Sequence, residues 1–272
     1  AGGLEKIFSH EMGHVLMQSL IARIPPRRST KMHMTMTVTD TQTAFLEGHG
    51  IAFQPLTLAA STTPSLVVYR DQGPGQGQDL NFGWHSAYDE FFRNFAAPGN
   101  GMVFRKCADT WQLSRLKTDA ELFEAYLDFT TNGYYRHDDL KNGQEQMASE
   151  GVLATLWYRL MTSEKLRNQY EKPEFYARFF PGRALPPGEL KELIPGFLNV
   201  NLKISHAVYR TLNTRPPERC QFLHFLDGYL KEFPDDRGEA LMIFLTTTRG
   251  VTVDPALRSL ANEAAHEGRL GR

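Results

Sequence analysis

The sequence predicts a mainly α-helical protein with little or no sheet. Three observations carry this expectation. Apolar residues recur at helical spacing from Leu4 to Ile24, they do so again from Gln42 to about Leu58, and from Ser86 onward one helical segment follows another. The breaks between those segments are proline and glycine pairs, which end helices because proline lacks a backbone donor and glycine favours turns.

Gly2-Gly3 leads into the first helix, on which Ile7, Phe8, Val15, Leu16, Leu20 and Ile21 share a 3.6-residue period. The flanks Ile7-Phe8 and Val15-Leu16 predict that this helix is buried. Pro25-Pro26 ends it. Arg27 to Lys31 is a short basic loop, and Met32 to Thr39 alternates with a period of two, as a strand does. Asp40 or Thr41 is placed to cap the second helix. Gly48 and Gly50 lie inside it, and each costs about 1 kcal/mol relative to alanine. Such a cost predicts close packing against another element, with the first helix as the partner.

Ser65 to Arg70 reads as a short extended piece. Asp71 to Gln78 is a glycine-rich loop without the strand-before, helix-after setting of a phosphate loop. Further helices are expected at Ser86–Phe95, Asp119–Thr130, Gln144–Met161, Glu164–Phe179, Leu190–Leu212, Glu218–Phe233, Arg237–Thr247 and Pro255–His266. Pro195-Gly196 is expected to kink or split the fifth of these. The glycine loop suggests a division into residues 1–78 and a helical portion, 79–272.

Bulk properties narrow the function classes. The 272 residues are 41% hydrophobic and 22% charged, with a formal net charge of -1, as in an ordinary globular protein. No basic stripe favours nucleic acid, and no apolar run of about 18 residues reads as a membrane span. The two cysteines, Cys107 and Cys220, are far apart and belong to no Cys-x-x-Cys pattern, so a disulfide and two free thiols both stay open.

Chemistry concentrates in Ser9-His10-Glu11-Met12-Gly13-His14. Two imidazoles four residues apart lie on one helix face and can reach a single metal ion, with Glu11 beside it to take a proton from water. Burying such groups without partners would be costly. A catalytic zinc needs a third protein ligand and an open position. A further histidine on the same helix is excluded, because Met17 and Leu20 occupy the relevant positions. Glu47, in Glu-Gly-His-Gly, lies a short connection downstream among apolar neighbours, and a helix hairpin would return it to His10 and His14. Glu150 is a second candidate, in the otherwise apolar stripe Met147, Glu150, Ala154, Trp157, Met161. If Glu47 ligates, Glu150 would hold a histidine's free ring nitrogen or line the cleft. It could also simply pair with Arg159 or Arg136. His49 is an alternative ligand, a transition-state donor or a polar neighbour.

His10-Glu11-Met12-Gly13-His14, followed by Phe45-Leu46-Glu47-Gly48 and Ala52, resembles the gluzincin class of zinc metallopeptidases. Glu150-Gly151-Val152-x-Ala154-x-Leu156-Trp157 is similar to a second glutamate–glycine helix of some poorly characterised bacterial members. The resemblance implies Zn2+ on His10, His14 and Glu47, Glu11 as general base, and a peptide or protein substrate. It also implies zincin-like metal-site helices in residues 1–78, with the helical portion completing the cleft. His206 and Tyr209, the Tyr134-Tyr135 pair, His85 and His137 are the candidate donors to a tetrahedral intermediate. Such peptidases usually place a small sheet before the motif helix. None fits before His10, so the chain is expected to be a processed or trimmed piece, its fold completed by an upstream segment or chain. The competing expectation is a non-catalytic metal-binding or protein-interaction helical module.

Overall fold

The computed structural model describes residues 3–24, 39–60, 62, 143–214 and 220–248. Among these the protein is helical, with no strand. The helices are α1 (Gly3–Leu20), α2 (Thr41–Ala60), α3 (Gly143–Met147), α4 (Glu150–Thr162), α5 (Glu164–Asn168), α6 (Pro173–Ala177), α7 (Leu190–Leu193), α8 (Gly196–Thr214), α9 (Gln221–Glu232) and α10 (Arg237–Thr248). Short 3-10 turns at Pro187–Glu189 and Pro234–Asp236 lead into α7 and α10. The strand expected at Met32–Thr39 lies outside the described residues except for Thr39. The extended piece at Ser65–Arg70, the glycine loop and the helices expected at Ser86–Phe95, Asp119–Thr130 and Pro255–His266 also lie outside them.

Asp40 is the residue that caps α2. Its Oδ1 accepts the backbone N–H groups of Gln42 at 3.0 Å and Thr43 at 2.9 Å, and its Oδ2 accepts the Thr43 hydroxyl at 2.8 Å. These are donors that a helix N-terminus otherwise leaves unpaired. One helix was expected over Gln144–Met161, but it is divided into α3 and α4. The backbone N–H of Thr39 donates to the carbonyl of Ala148 at 2.7 Å, its hydroxyl donates to the same oxygen at 3.0 Å, and Ser149 is extended (φ -115, ψ 120). A carbonyl so used is drawn out of a continuous helix by a residue more than a hundred positions away. Likewise the helix expected over Glu164–Phe179 is two: α5 ends at Asn168, Gln169 is extended (φ -86, ψ 99) with its carbonyl accepting from Asn199 and Lys203, and Pro173 starts α6. The split expected at Pro195-Gly196 separates α7 from α8.

Helix α2 lies between α1 and α4. Gly50 and Gly48, two positions apart, lie about 200° apart around the helix, so each serves one neighbour. A Cβ added at Gly13 of α1 would stand 3.0 Å from the Gly50 Cα. A Cβ at Gly48 would stand 2.8 Å from the Leu153 Cβ and 2.9 Å from the Ala154 nitrogen. The close packing expected from the two glycines is therefore found on both faces, with α1 and also with α4. Asn213 of α8 anchors the end of α1, donating to the Leu20 carbonyl and accepting from the Ala22 N–H, both at 2.7 Å.

The burial expected of α1 needs correction. Phe8 (65% exposed), Val15 (56%) and Leu16 (43%) face outward, while Gly13, His14, Met17 and Ile21 face the core. The inward residues recur at intervals of three and four, and they press on α2. The Ile7 side chain is outside the described set.

Trp157 of α4 is fully buried at the centre. Its ring meets Phe45 and His49 of α2 edge-on at 5.5 Å, and Phe222 and Phe225 of α9 at 5.1 and 4.6 Å. One apolar core runs from Met17 of α1 to Leu245 of α10, so residues from before and after the glycine loop share it. On its far side a buried ion pair joins Lys203 to Asp236 at 2.6 Å, and Tyr229 donates to the same carboxylate oxygen at 2.6 Å. Lys203 also donates to the Gln169 carbonyl, so α8, α9 and the turn before α10 are tied together. Among the described residues Cys220 has no disulfide partner, and burial pushes its thiol pKa up to about 11; Cys107 lies outside the described residues. No described helix is long and apolar enough to cross a membrane.

Candidate metal centre

The α1–α2 crossing brings three polar atoms together. His10 Nε2 is 3.2 Å from Glu47 Oε2, His14 Nε2 is 3.1 Å from the same oxygen, and the two ring nitrogens are 2.9 Å apart. Among the described residues this is the group of metal-ligating side chains that converges, with its ligand atoms within 4.8 Å of one another. The two rings stand nearly perpendicular, at 86°. Gly50 makes this possible: a Cβ there would lie 3.0 Å from His10 Cε1 and 3.1 Å from His14 Cε1, so the imidazoles rest on bare backbone.

Protons alone do not satisfy this triangle. If both ring nitrogens donate to Glu47, their mutual contact has no acceptor. If one donates to the other, the second has no proton for Glu47, and an ionised Glu47 has none to give it. A cation drawn to three lone pairs removes the conflict. Zinc held tetrahedrally at 2.0–2.1 Å separates its ligand atoms by about 3.3 Å, close to the observed spacings. The donor set therefore fits a divalent metal with two imidazoles and one carboxylate.

Electrostatics agree with a carboxylate in that role. Burial raises the Glu47 pKa, but the hydrogen bonds and charges of His10 and His14 outweigh it and hold the group well below the usual carboxylate range. The His14 Nδ1 is buried and makes no hydrogen bond among the described residues.

The other expected site residues have varied placements. Glu11 is exposed, next to His10 on α1. It lies about 100° around the helix from His10 and about 60° from His14, on the solvent side of the triad. His49 is buried, and its Nδ1 donates to the Gly13 carbonyl at 3.0 Å. It stacks on Phe53. Glu150 is buried in the first turn of α4, its backbone against Gly48, and it is outside the converging group. Arg159 donates to Thr247 at 2.7 Å. His206 meets Glu232 at 3.3 Å and lies edge-on to Phe175 and Phe233, none of which belongs to the triad. Tyr209 is exposed on α8. Tyr134, Tyr135, His85, His137 and Arg136 lie outside the described residues.

Sequence reasoning missed the bond from His49 to Gly13. The signal was the run Glu-Gly-His-Gly, whose glycines announce the crossing without showing what the intervening histidine does.

A pH dependence follows. Burial lowers the His49 pKa from 6.5 to about 4. Above pH 6.5 neither folded nor unfolded chain binds this proton. Between 6.5 and about 4 the unfolded chain takes it and the folded chain does not, so stability falls with pH. Glu47 acts in the same sense, its contribution present above 4.5 and lost as pH falls. Thermal unfolding of the metal-free chain should therefore show Tm dropping steadily across that window. A flat Tm would contradict it.

Compared with protein-family models, with curated proteins and with solved structures, the chain matches none of them.

Proposed function

We propose that the chain is a zinc-dependent hydrolase acting on peptide bonds. The observation that supports this is the triangle of His10, His14 and Glu47, whose mutual distances suit a metal and cannot all be hydrogen bonds while Glu47 is ionised. Among the described residues three protein donors converge, and three is the number of protein ligands in catalytic zinc sites. Zinc bound there would polarise a carbonyl and acidify a water.

The chain's own residues divide the remaining work. Glu47, ionised well into the acid range, supplies the negative charge of the site. His10 and His14 turn their Nε2 atoms inward and are held in that pose by the Gly50 backbone. Glu11 is not needed as a ligand and is exposed to solvent, so its carboxylate is available to accept a proton from water and pass it to a leaving amine. The peptide substrate class comes from the resemblance of His-Glu-x-x-His with a downstream Glu-Gly to zinc peptidases.

The test is hydrolysis of a mixed peptide library, with products read by mass spectrometry. A chelator should abolish cleavage, and zinc added back should restore it. Cleavage that survives complete removal of metal would overturn the reading, as would a zinc-loaded chain that cleaves nothing.

A further inference from the structure

We propose that His49 is a positioning residue of the metal centre. Its bond to the Gly13 carbonyl sets the register of α1 on α2 in which His10 and His14 meet Glu47. The proposal rests on the reading of these three residues as metal ligands.

The two helices touch through glycines, Gly13 against Gly50. The glycine contact permits close approach, with the Phe53 Cβ and the inward side chains of α1 packed beside it, but apolar packing of this kind is not directional. Sliding α1 by one residue would displace its histidines by about 1.5 Å, enough to lose the triangle. A directional contact is needed, and the bond from His49 Nδ1 to Gly13 O at 3.0 Å provides one. Its position is apt at both ends. Gly13 lies between the two ligands of α1, and His49 lies two residues beyond the ligand of α2.

The donor is itself held still. The His49 ring stacks on Phe53 at 5.9 Å and 25°, and stands edge-on to Trp157 of α4 at 5.5 Å and 89°. The register of α1 is thus referred, through one imidazole, to the centre of the core. His49 is not among the converging ligand atoms, so its contribution passes through the helices.

The experiment titrates the metal-free full chain with Co2+ and follows its visible absorption, which reports the ligands' geometry. Three variants separate positioning from packing. His49→Phe keeps the ring and loses the donor. His49→Asn loses the ring but places an N–H where Nδ1 was, and His49→Gln places it one atom too far. The expected result is Co2+ affinity about ten- to a hundredfold weaker in His49→Phe and His49→Gln, with an altered band. In His49→Asn the wild-type band should return and the affinity should lie within a few fold, although the lost ring lowers Tm. Affinity that instead tracks Tm across the three would overturn the proposal, as would a wild-type band in both His49→Phe and His49→Gln. A wild-type chain with no Co2+ band would mean that the metal reading itself had failed.

Discussion

Replacing Glu11 with glutamine should lower peptide turnover by about a hundred- to ten-thousand-fold, the range that a lost general base accounts for. The substitution preserves size and polarity and removes only the capacity to accept a proton. Glu11 is exposed on the solvent side of α1, and the converging ligand atoms belong to His10, His14 and Glu47. Zinc content and thermal stability should therefore match the wild type. That combination, metal retained and turnover lost, separates a catalytic role from a structural one. A Glu11→Gln chain hydrolysing peptides at the wild-type rate would remove Glu11 from the mechanism.

Alanine at Gly48 or Gly50 should be harmful, in the opposite direction to helix propensity. In an exposed helix either change would gain about 1 kcal/mol. At Gly48 the new Cβ meets the Leu153 Cβ at 2.8 Å and the Ala154 backbone nitrogen at 2.9 Å, and backbone cannot step aside. Overpacking of this kind costs about 1–3 kcal/mol, so Gly48→Ala should lower Tm by several degrees with or without metal. At Gly50 the Cβ meets His10 Cε1 and His14 Cε1 at 3.0 and 3.1 Å, where the neighbours are side chains that can yield. Their yielding carries the Nε2 atoms off the triangle. Gly50→Ala should therefore weaken metal binding by about tenfold or more, with a smaller change in the metal-free Tm. Calorimetry and metal titration on the two variants check this contrast. Equal and parallel losses in both measurements would contradict it.

The three converging residues were legible in the sequence as candidate metal ligands because their signal is local. The i, i+4 spacing puts His10 and His14 on one helix face, and Glu47 stands out as a charge among apolar neighbours a hairpin's length away. Gly48 and Gly50 were legible as packing glycines for a similar reason, since each carries a cost that some contact must offset. The orientation of α1 was not legible. That helix has apolar residues on every side, so composition could not say whether Val15 and Leu16 or Met17 and Ile21 face inward; the crossing with α2 decides it. The break at Ala148-Ser149 was hidden because Thr39, remote in sequence, makes it. Pro173 marks the start of α6 in the sequence, as Pro195-Gly196 marks the division of α7 from α8. The role of His49 needed the crossing itself, since its partner is a backbone carbonyl on another helix.

The central claim, that His10, His14 and Glu47 hold a metal ion, is tested most directly by metal stoichiometry combined with X-ray absorption at the zinc edge. The wild-type chain, loaded with zinc and freed of excess, should retain one ion per chain, with nitrogen and oxygen neighbours at about 2.0–2.1 Å. His14→Ala, with its helical circular dichroism preserved, should retain almost none. A wild-type chain that holds no zinc, or a folded His14→Ala chain that holds as much as the wild type, would contradict the claim.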